Sequence, residues 1–346
     1  MKKQNGVSNQ EWSALYEAAI AFKKLRCWEW MVDSDLFGVQ DPENGEVGYC
    51  CIMGALGEVL ALNVYPGTEG LRSYLYIHEQ YRLAEEGAAV SNHLLLNSQK
   101  CLMASFEDRK DLHKTDLGTI KGLSLKFHGR KAWPLFRSYR PGFVPWYLTS
   151  SEVRFLTIAL QQAAAVALRT REDSDLLCPD EGEEEQYLVR VLQDGEWSDT
   201  WQPPADFEEP KRIPSVNEMF LAQLKRSKFN RKGTWETDCI LLPMVIEEGE
   251  RPFYPYGFPV LTEDGIALCI EMVKPGELEK TVPNKFLELL QRMRSLPERL
   301  LVGSQEGYNL LEPVAGKLGI KIQKSETLPN LEHFLAEMES FLAGGR

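Results

Sequence analysis

The sequence predicts an α+β protein with two domains, and three observations support this prediction. Short apolar runs alternate with helical segments in the N-terminal part, which is typical of an antiparallel sheet with helices. The C-terminal part has three consecutive strand candidates and then alternates helices with strands, which is typical of a mixed sheet with helices. Between the two parts, eight acidic residues fall within 172–185. Such a run repels itself and rarely packs, so it marks the boundary.

The predicted division is an N-terminal α+β domain, a linker and a C-terminal α/β domain, over residues 1–171, 172–214 and 215–346. At 346 residues the chain is long enough for two domains of ordinary size. The linker holds the acidic run and a proline-rich segment, 203–214. It also holds Asp194-Gly195, a strong turn signal that predicts a hairpin of Tyr187–Leu192 and Glu196–Trp201. Which domain owns this hairpin stays open.

The composition is that of a globular protein, with 43% hydrophobic and 26% charged residues. No apolar run approaches the roughly 18 residues of a membrane span, so no membrane partner is expected. The first residues, MKKQNGVSNQEW, lack the apolar core of a secretory signal. We therefore expect a cytoplasmic protein. The net charge of -12 argues against broad nucleic-acid binding, although a local basic patch leaves that class open.

The seven cysteines have irregular spacing and form no C-x-x-C motif. Cys50 and Cys51 are adjacent and would point to opposite faces of a strand, which disfavours a shared zinc ion. We expect all seven to be reduced and most to be small buried hydrophobic residues. No metal site and no cofactor are predicted.

The N-terminal elements follow from helical spacing, strand-like runs and turn signals. Ser8 can cap the first helix, and Thr149 with Glu152 forms a capping-box pattern at the start of the last helix of the N-terminal part. Asp-Pro-Glu-Asn-Gly, at 41–45, resembles a hairpin turn. The predicted elements, in chain order, are a helix at Asn9–Trp30, strands at Tyr49–Ala55 and Glu58–Tyr65, helices at Leu71–Glu86 and Ala88–Ser98, a strand at Cys101–Phe106, a helix at Asp116–Gly122, a strand at Leu123–Phe127 and a helix at Glu152–Arg169.

The C-terminal elements are predicted in the same way, with Gly319 at the position of a helix C-cap glycine. In chain order they are a helix at Val216–Lys228, strands at Glu236–Glu247, Tyr254–Leu261 and Ile266–Val273, a helix at Pro283–Ser295, a strand at Arg299–Val302, a helix at Tyr308–Leu318, a strand at Ile320–Lys324 and a helix at Leu331–Leu342.

This C-terminal order resembles the ribonuclease H-like fold. That fold implies carboxylates for two metal ions, one within the first strand and another just after the fourth. Asp238 lies near the first position but precedes the apolar run, and only Glu306 is acidic after the fourth strand. Glu271, in the third strand, is a looser candidate. The sequence therefore predicts a degenerate ribonuclease H-like fold without its full carboxylate set.

The best functional signal is the stretch 126–151, which mixes cations and aromatic residues with three prolines. No Asp or Glu occurs from Leu117 to Ser151, although the chain has 51 acidic residues. Cations between aromatic rings can hold an anion, and arginine can also stack on a ring. The predicted residues for an anionic ligand or a protein partner are Arg130, Lys131, Trp133, Arg137, Arg140 and Trp146.

Two alternatives stay open. In the first, this stretch is an irregular, proline-rich flap packed on the core, and its arginines pair with acidic residues elsewhere. In the second, the protein is a hydrolase that acts on nucleic acid or a phosphorylated small molecule. It would use Glu107, Asp108 or Asp238, with the arginines as anion clamps. No nucleophile, base and orienting group can be assembled from spacing, so we expect a binding or accessory module.

Three N-terminal motifs carry a resemblance: GYCCIMGALGEVLALNVYPGTEGL, FEDRKDL and FHGRKAWPLFRSYRPGFVPW. They look like an uncharacterised bacterial domain family in which a second domain of unknown function follows the first. ERLLVGSQEGYNLLEPVAGKLGIKI is similar to the late strand-helix-strand unit of that second domain. The resemblance covers most of the chain and implies two domains, but no known activity, cofactor or catalytic residue.

Overall fold

A computed structural model describes residues 6–87, 95, 97–183, 185–208 and 213–344 of the chain. The chain has an α+β fold and separates into two compact units, Met1–Glu208 and Glu209–Arg346. The predicted hairpin belongs to the first unit, because its first strand pairs with a strand near the N-terminus. Each unit has its own hydrophobic core.

The first unit is built on a seven-stranded sheet with the order β5-β4-β3-β2-β1-β6-β7. β6 is parallel to β1, and the other neighbouring pairs are antiparallel. The strands are β1 (Phe37–Gln40), β2 (Val47–Met53), β3 (Ala61–Pro66), β4 (Cys101–Glu107), β5 (Trp133–Tyr139), β6 (Tyr187–Gln193) and β7 (Glu196–Gln202).

Helices cover both faces of this sheet, which is why successive residues of β2 and β3 are buried. The helices are α1 (Asn9–Leu25), α2 (Gly67–Glu85), α3 (Lys114–Gly122) and α4 (Ser150–Glu172). α1 and α4 pack together over one face and supply much of the main core of the unit. α2 contacts β2 and β3, and its Leu71 and Tyr74 contribute to a smaller cluster with Tyr49 and Tyr65.

The helix starts follow from local hydrogen bonds. Ser8 caps α1 and Thr149 caps α4, as predicted, and the structure completes a capping box at both. α1 ends earlier than the predicted Trp30, because Arg26 has a left-handed backbone with φ 54° and begins a short 3-10 turn, Cys27–Glu29.

β1 was not predicted, because turn-forming residues dominate 33–48. It is held between β2 and β6, and Gly38 lies opposite Val189 in the parallel pair. A Cβ atom on Gly38 would lie 2.7 Å from a methyl carbon of Val189, so a side chain there would force the strands apart. The glycine therefore permits the contact that joins the hairpin to the sheet.

The second unit has a mixed sheet with the order β10-β11-β9-β14-β15, and β12 pairs with β11. β9, β14 and β15 are parallel, whereas β11 is antiparallel to its neighbours. Its strands are β8 (Asn230–Arg231), β9 (Thr234–Thr237), β10 (Ile240–Leu241), β11 (Tyr256–Thr262), β12 (Ala267–Val273), β13 (Ser295–Leu296), β14 (Arg299–Val302) and β15 (Lys321–Lys324), of which β8 and β13 form a separate pair.

The helices of the second unit are α5 (Glu218–Arg226), α6 (Leu278–Met293), α7 (Gln305–Leu318) and α8 (Pro329–Gly344). α5, α6 and α7 contribute to the main core of the unit, and Leu331 of α8 packs in a smaller cluster with Leu261 of β11. Gly319 forms the C-cap of α7 with φ 67°, as predicted. The predicted elements occur in the predicted order, but the predicted strand Glu236–Glu247 is wrong in its length, because β9 ends at Thr237 and only the two-residue β10 follows it within that range. The ribonuclease H-like resemblance stays a prediction.

Two predictions near the candidate stretch are wrong. The segment Leu123–Phe127 is not a strand, and 133–139 is not an irregular flap but the strand β5 at one end of the sheet. Pro134 is tolerated because β5 is the end strand of the sheet, and the bridge described on its outer edge lies at Ser138, away from Pro134. The predicted helix Ala88–Ser98 lies mostly outside the described residues. No helix in the described ranges is both long enough and apolar enough to cross a membrane.

Candidate anion-binding cleft

The predicted residues 133–139 alternate between the two faces of β5, as in any strand. Pro134, Phe136 and Ser138 are buried, whereas Arg137 is only partly buried. The Phe136 ring centroid lies 5.0 Å from that of Tyr16 in α1, in an edge-on arrangement. This packing fixes the strand, so the direction of Arg137 is set by the core on the opposite face.

Arg137 forms an internal ion pair. Its Nη1 and Nη2 donate to the two carboxylate oxygens of Asp116 in α3, at 2.9 and 2.7 Å. The guanidinium also lies 4.8 Å from the ring centroid of Tyr147. Its charge is therefore already matched within the protein, as the flap alternative expects for the arginines of this stretch.

Arg140 and Trp146 lie at the end of the strand. Arg140 pairs with Glu152 at 3.2 Å. The backbone of Trp146 forms an antiparallel bridge with Ser138, and its ring lies 5.1 Å from that of Tyr147. The ion pair of Arg140 holds the turn after β5 against the first turn of α4, and the Trp146 bridge holds the following segment against β5.

Lys131 and Arg130 precede the strand. The backbone N–H of Lys131 donates to Asp108 Oδ1 at 2.7 Å, and its Nζ donates to the carbonyl oxygens of Gly57, at 2.5 Å, and Glu58. Lys131 thus ties the loop between β2 and β3 to the start of β5. Arg130 is exposed.

A cleft of about 490 Å³ lies between α3 and the segment that leads into β5. We call it the cationic cleft. Trp133 is the member of the predicted set that lines it, while Arg140 lines a different cleft. The lining residues are Arg109, Leu117, Ile120, Lys121, Ser124, Leu125, Lys126, Phe127, His128 and Trp133.

The walls of the cationic cleft are apolar. Ile120 is buried in the main core, and the Phe127 ring lies 6.2 Å from Tyr16 in a stacked arrangement and 5.7 Å from Trp133. The Arg109 guanidinium lies 5.9 Å from the Trp133 ring centroid. Rings anchored in the core make a firm wall for a bound molecule.

The rim of the cationic cleft carries four basic side chains: Arg109, Lys121, Lys126 and His128. All four are exposed, and none forms an ion pair with a carboxylate among the described residues. None of the ten lining residues is acidic. The cleft can therefore bury an apolar group while its rim contacts a negative charge.

The sequence contained a partial signal for this cleft. Every lining residue except Arg109 falls in the acid-free range that begins at Leu117. The contribution of α3 was missed, because nothing local shows that this helix packs beside Trp133. Arg109 was missed because a charge after a strand most often begins a solvated loop.

Two carboxylates of the hydrolase alternative, Asp108 and Asp238, accept hydrogen bonds within the protein. Asp108 accepts from the Lys131 backbone. Asp238, in the second unit, accepts from Ser304 Oγ at 2.5 Å and from its neighbour Cys239 N at 2.8 Å. Burial raises the pKa of Asp238 despite these hydrogen bonds. No group of three or more His, Cys, Asp or Glu residues suited to a metal ion occurs in the described part of the chain. The hydrolase alternative stays a prediction.

Comparison with known proteins gives a family without an assigned role. Residues 12–190 match the family model described as "Domain of unknown function (DUF7309)", and residues 220–339 match the one described as "Domain of unknown function (DUF6930)". No curated protein and no solved structure matches the chain. The predicted resemblance to an uncharacterised two-domain family is confirmed. Because the first match spans more than half of its 346 residues, the chain belongs to the family defined by that first domain of unknown function.

Proposed function

We propose that this protein is a binding module whose cationic cleft holds an organic anion with an apolar body. The observation that carries the proposal is the lining of the cleft, which combines aromatic and aliphatic walls with four basic side chains that form no ion pair within the described ranges. The lining also lacks acidic residues, which is unusual in a chain with a net charge of -12.

The two parts of the lining select for two parts of a ligand. The walls formed by Leu117, Phe127 and Trp133 gain free energy by removing apolar surface from water. The rim cations attract a carboxylate, sulfonate or phosphate, and this attraction weakens as salt concentration rises because the groups are exposed. A cleft of about 490 Å³ has the volume of typical small-molecule sites.

Calorimetric titration with three matched probes tests this proposal. 2-Naphthoate has an apolar body and a charge, 2-naphthalenemethanol has the body alone, and acetate has the charge alone. We expect 2-naphthoate to bind at least about tenfold more tightly than either of the others, because only it uses both parts of the lining. Equal affinity for the naphthoate and the alcohol would refute the role of the rim.

Matched variants locate the binding. Replacing both Lys121 and Lys126 by Gln should weaken naphthoate binding about tenfold. The control replaces Lys225 and Lys228, two exposed lysines of the second unit, by Gln and should leave affinity unchanged. If the control pair has the same effect as the cleft pair, the binding is non-specific attraction and the proposal is wrong.

A further inference from the structure

β12 is an end strand of the second unit and carries exposed apolar side chains. The strand pairs with β11, and no strand within the described ranges pairs with its other edge. Ile270 and Met272 lie two positions apart and therefore share one face of the strand, where they are 49% and 56% exposed. We call this edge and its two apolar side chains the β12 edge. A contact made there does not depend on the cationic cleft, which lies in the first unit.

The backbone groups of Ile270 point outward at the β12 edge. Ile270 lies opposite Pro259 of β11, and proline has no N–H to donate. The carbonyl oxygen of Pro259 accepts from Thr237 Oγ1 of β9 at 2.6 Å, so the backbone of Pro259 is directed toward β9. The pair of Ile270 and Pro259 is thus a non-hydrogen-bonded pair of the antiparallel ladder. Ile270 therefore offers one donor and one acceptor to a strand beyond β12.

Charged side chains lie on the other face of β12. A carboxylate oxygen of Glu271 is 3.8 Å from Lys285 Nζ of α6. Arg292, near the end of α6, donates from Nη2 to the carbonyl oxygen of Leu268 at 2.9 Å, and no carboxylate of the described chain lies within ion-pair distance of it. Burial and the nearby Glu271 carboxylate raise the pKa of Cys269 to about 11, against the opposing effect of the nearby Arg292 guanidinium. A cation without an acidic partner in the described ranges thus lies beside Cys269.

We propose that the β12 edge pairs with the β12 edge of a second copy of this chain, antiparallel and centred on Ile270. In this register the two Ile270 residues exchange backbone hydrogen bonds across a two-fold axis, and Glu271 of each copy lies opposite Cys269 of the other. Directly opposite side chains of antiparallel strands are about 5 Å apart. The unpaired Arg292 beside Cys269 therefore meets the Glu271 carboxylate of the other copy, and the symmetry makes this contact twice.

The charges also select this register over its neighbour. With the axis at Glu271, two carboxylates would lie directly opposite each other, and like charges in that position destabilise a strand pair. With the axis at Ile270, the carboxylates separate and the apolar side chains of Ile270 meet on the face that they share with Met272. A second copy fits better than an unrelated strand, because one short segment supplies the apolar contact and both signs of charge.

Sedimentation velocity of the full chain over a range of concentrations tests the pairing. We expect monomers at low concentration and dimers at high concentration. Ile270→Lys places two like charges at the centre of the pair and should weaken the dimer at least about tenfold. Met219→Lys, which changes a side chain of α5 that is 84% exposed, should leave it unchanged. A chain that stays monomeric throughout overturns the proposal, and so do equal effects of the two substitutions.

Disulfide crosslinking tests the register and does not depend on destabilising a variant. Ile270→Cys, in a Cys178→Ser background that removes the exposed native thiol, should form a covalent dimer on mild oxidation. The reason is that opposite residues of a hydrogen-bonded pair have Cα atoms about 5.5 Å apart, which a disulfide spans. Met272→Cys has similar exposure on the same face but lies opposite Leu268 of the second copy, so it should crosslink much less. Equal crosslinking of the two variants overturns the register.

A charge exchange tests the contact between the copies. Arg292→Glu sets two negative groups against each other at each of the two contacts and should weaken the dimer about fivefold. Glu271→Arg combined with Arg292→Glu restores opposite charges in exchanged positions and should recover most of the lost affinity. A double variant that dimerises no better than Arg292→Glu alone contradicts the proposed contact.

Discussion

The guanidinium of Arg137 and the carboxylate of Asp116 form two parallel hydrogen bonds, and both side chains are largely shielded from water, with 15% and 10% exposed. Asp116 also accepts from the backbone N–H of His113 at 3.0 Å, which completes the capping box of α3. A single carboxylate therefore both starts α3 and holds it against β5. Because α3 forms one side of the cationic cleft, this ion pair fixes the shape of that cleft.

Loss of Arg137 should reduce stability. The sequence makes Arg137 a candidate ligand for an anion, but its pairing with Asp116 predicts a structural role. Arg137→Ala leaves a shielded carboxylate without its partner and should lower the free energy of unfolding by about 3 kcal/mol. Urea denaturation measures this. Arg82→Ala, which removes an arginine paired on the surface with Glu79 and Glu86, should change it little. Equal effects of the two substitutions would contradict the prediction.

Glu11 should contribute stability that is lost in acid. The Glu11 carboxylate accepts hydrogen bonds from Ser150, Ser8 and Arg154. These bonds lower its pKa from 4.5 to about 2, and the bond from Ser150 is the largest cause. A group whose pKa is depressed by folding stabilises the protein above its unfolded pKa and loses this effect as pH falls toward its folded pKa. Glu11→Gln should therefore cost about 1 kcal/mol at pH 7 and progressively less between pH 4.5 and about 2. Chemical denaturation across this pH range gives the difference, and a difference that does not shrink would contradict it.

Thiol labelling should separate Cys178 from the other cysteines. Cys178 is the exposed one of the seven, and all of them are free thiols. Burial raises the pKa of Cys27 to about 12 and raises the pKa values of Cys50, Cys51 and Cys101 as well, so their thiolate forms are scarce at pH 8. We expect one fast-reacting thiol in the native protein and seven in denaturant without reductant. Five or fewer in denaturant would show that disulfides form.

Cleavage in the acidic run should not release two separate halves. The described residues of the run 172–185 are mostly exposed, so we expect proteases to cut there first. The run lies within the first unit, and after it β6 pairs with β1 while Leu188 and Val189 are buried. The two pieces should therefore co-elute in size-exclusion chromatography after cleavage and separate only in denaturant. Separation without denaturant would contradict the pairing.

The parts of the fold that sequence predicted are those with local causes. The cap at Ser8 and the capping box at Thr149 depend on residues three positions apart, and the Asp194-Gly195 turn depends on two adjacent residues. The pairing of Gly38 with Val189 depends on residues far apart in the chain, so no local pattern indicates it. β5 was mistaken for a flap because its proline and charges resemble a loop, and only its place at the end of the sheet explains them.

The same distinction applies to the candidate site. The absence of acidic residues from Leu117 to Ser151 was visible in the sequence, and this range holds nine of the ten residues that line the cationic cleft. The sequence did not show which basic side chains form ion pairs, because Arg137 reaches Asp116 only when α3 packs on β5. Sequence could thus locate the region of positive charge, but the three-dimensional packing determines that Lys121 and Lys126 line the cleft.

The parallel pairing of β6 with β1 also sets the order in which this unit can fold during synthesis. β1 leaves the ribosome early, but β6, which pairs with it in parallel, emerges only after α4 and the acidic run have been made. Until then, one edge of β1 lacks its final partner, and closing so long a loop is slow. A nascent chain that stalls before β6 would present an open sheet edge, so the first unit should depend on prompt completion of its last two strands or on protection of that edge by a chaperone.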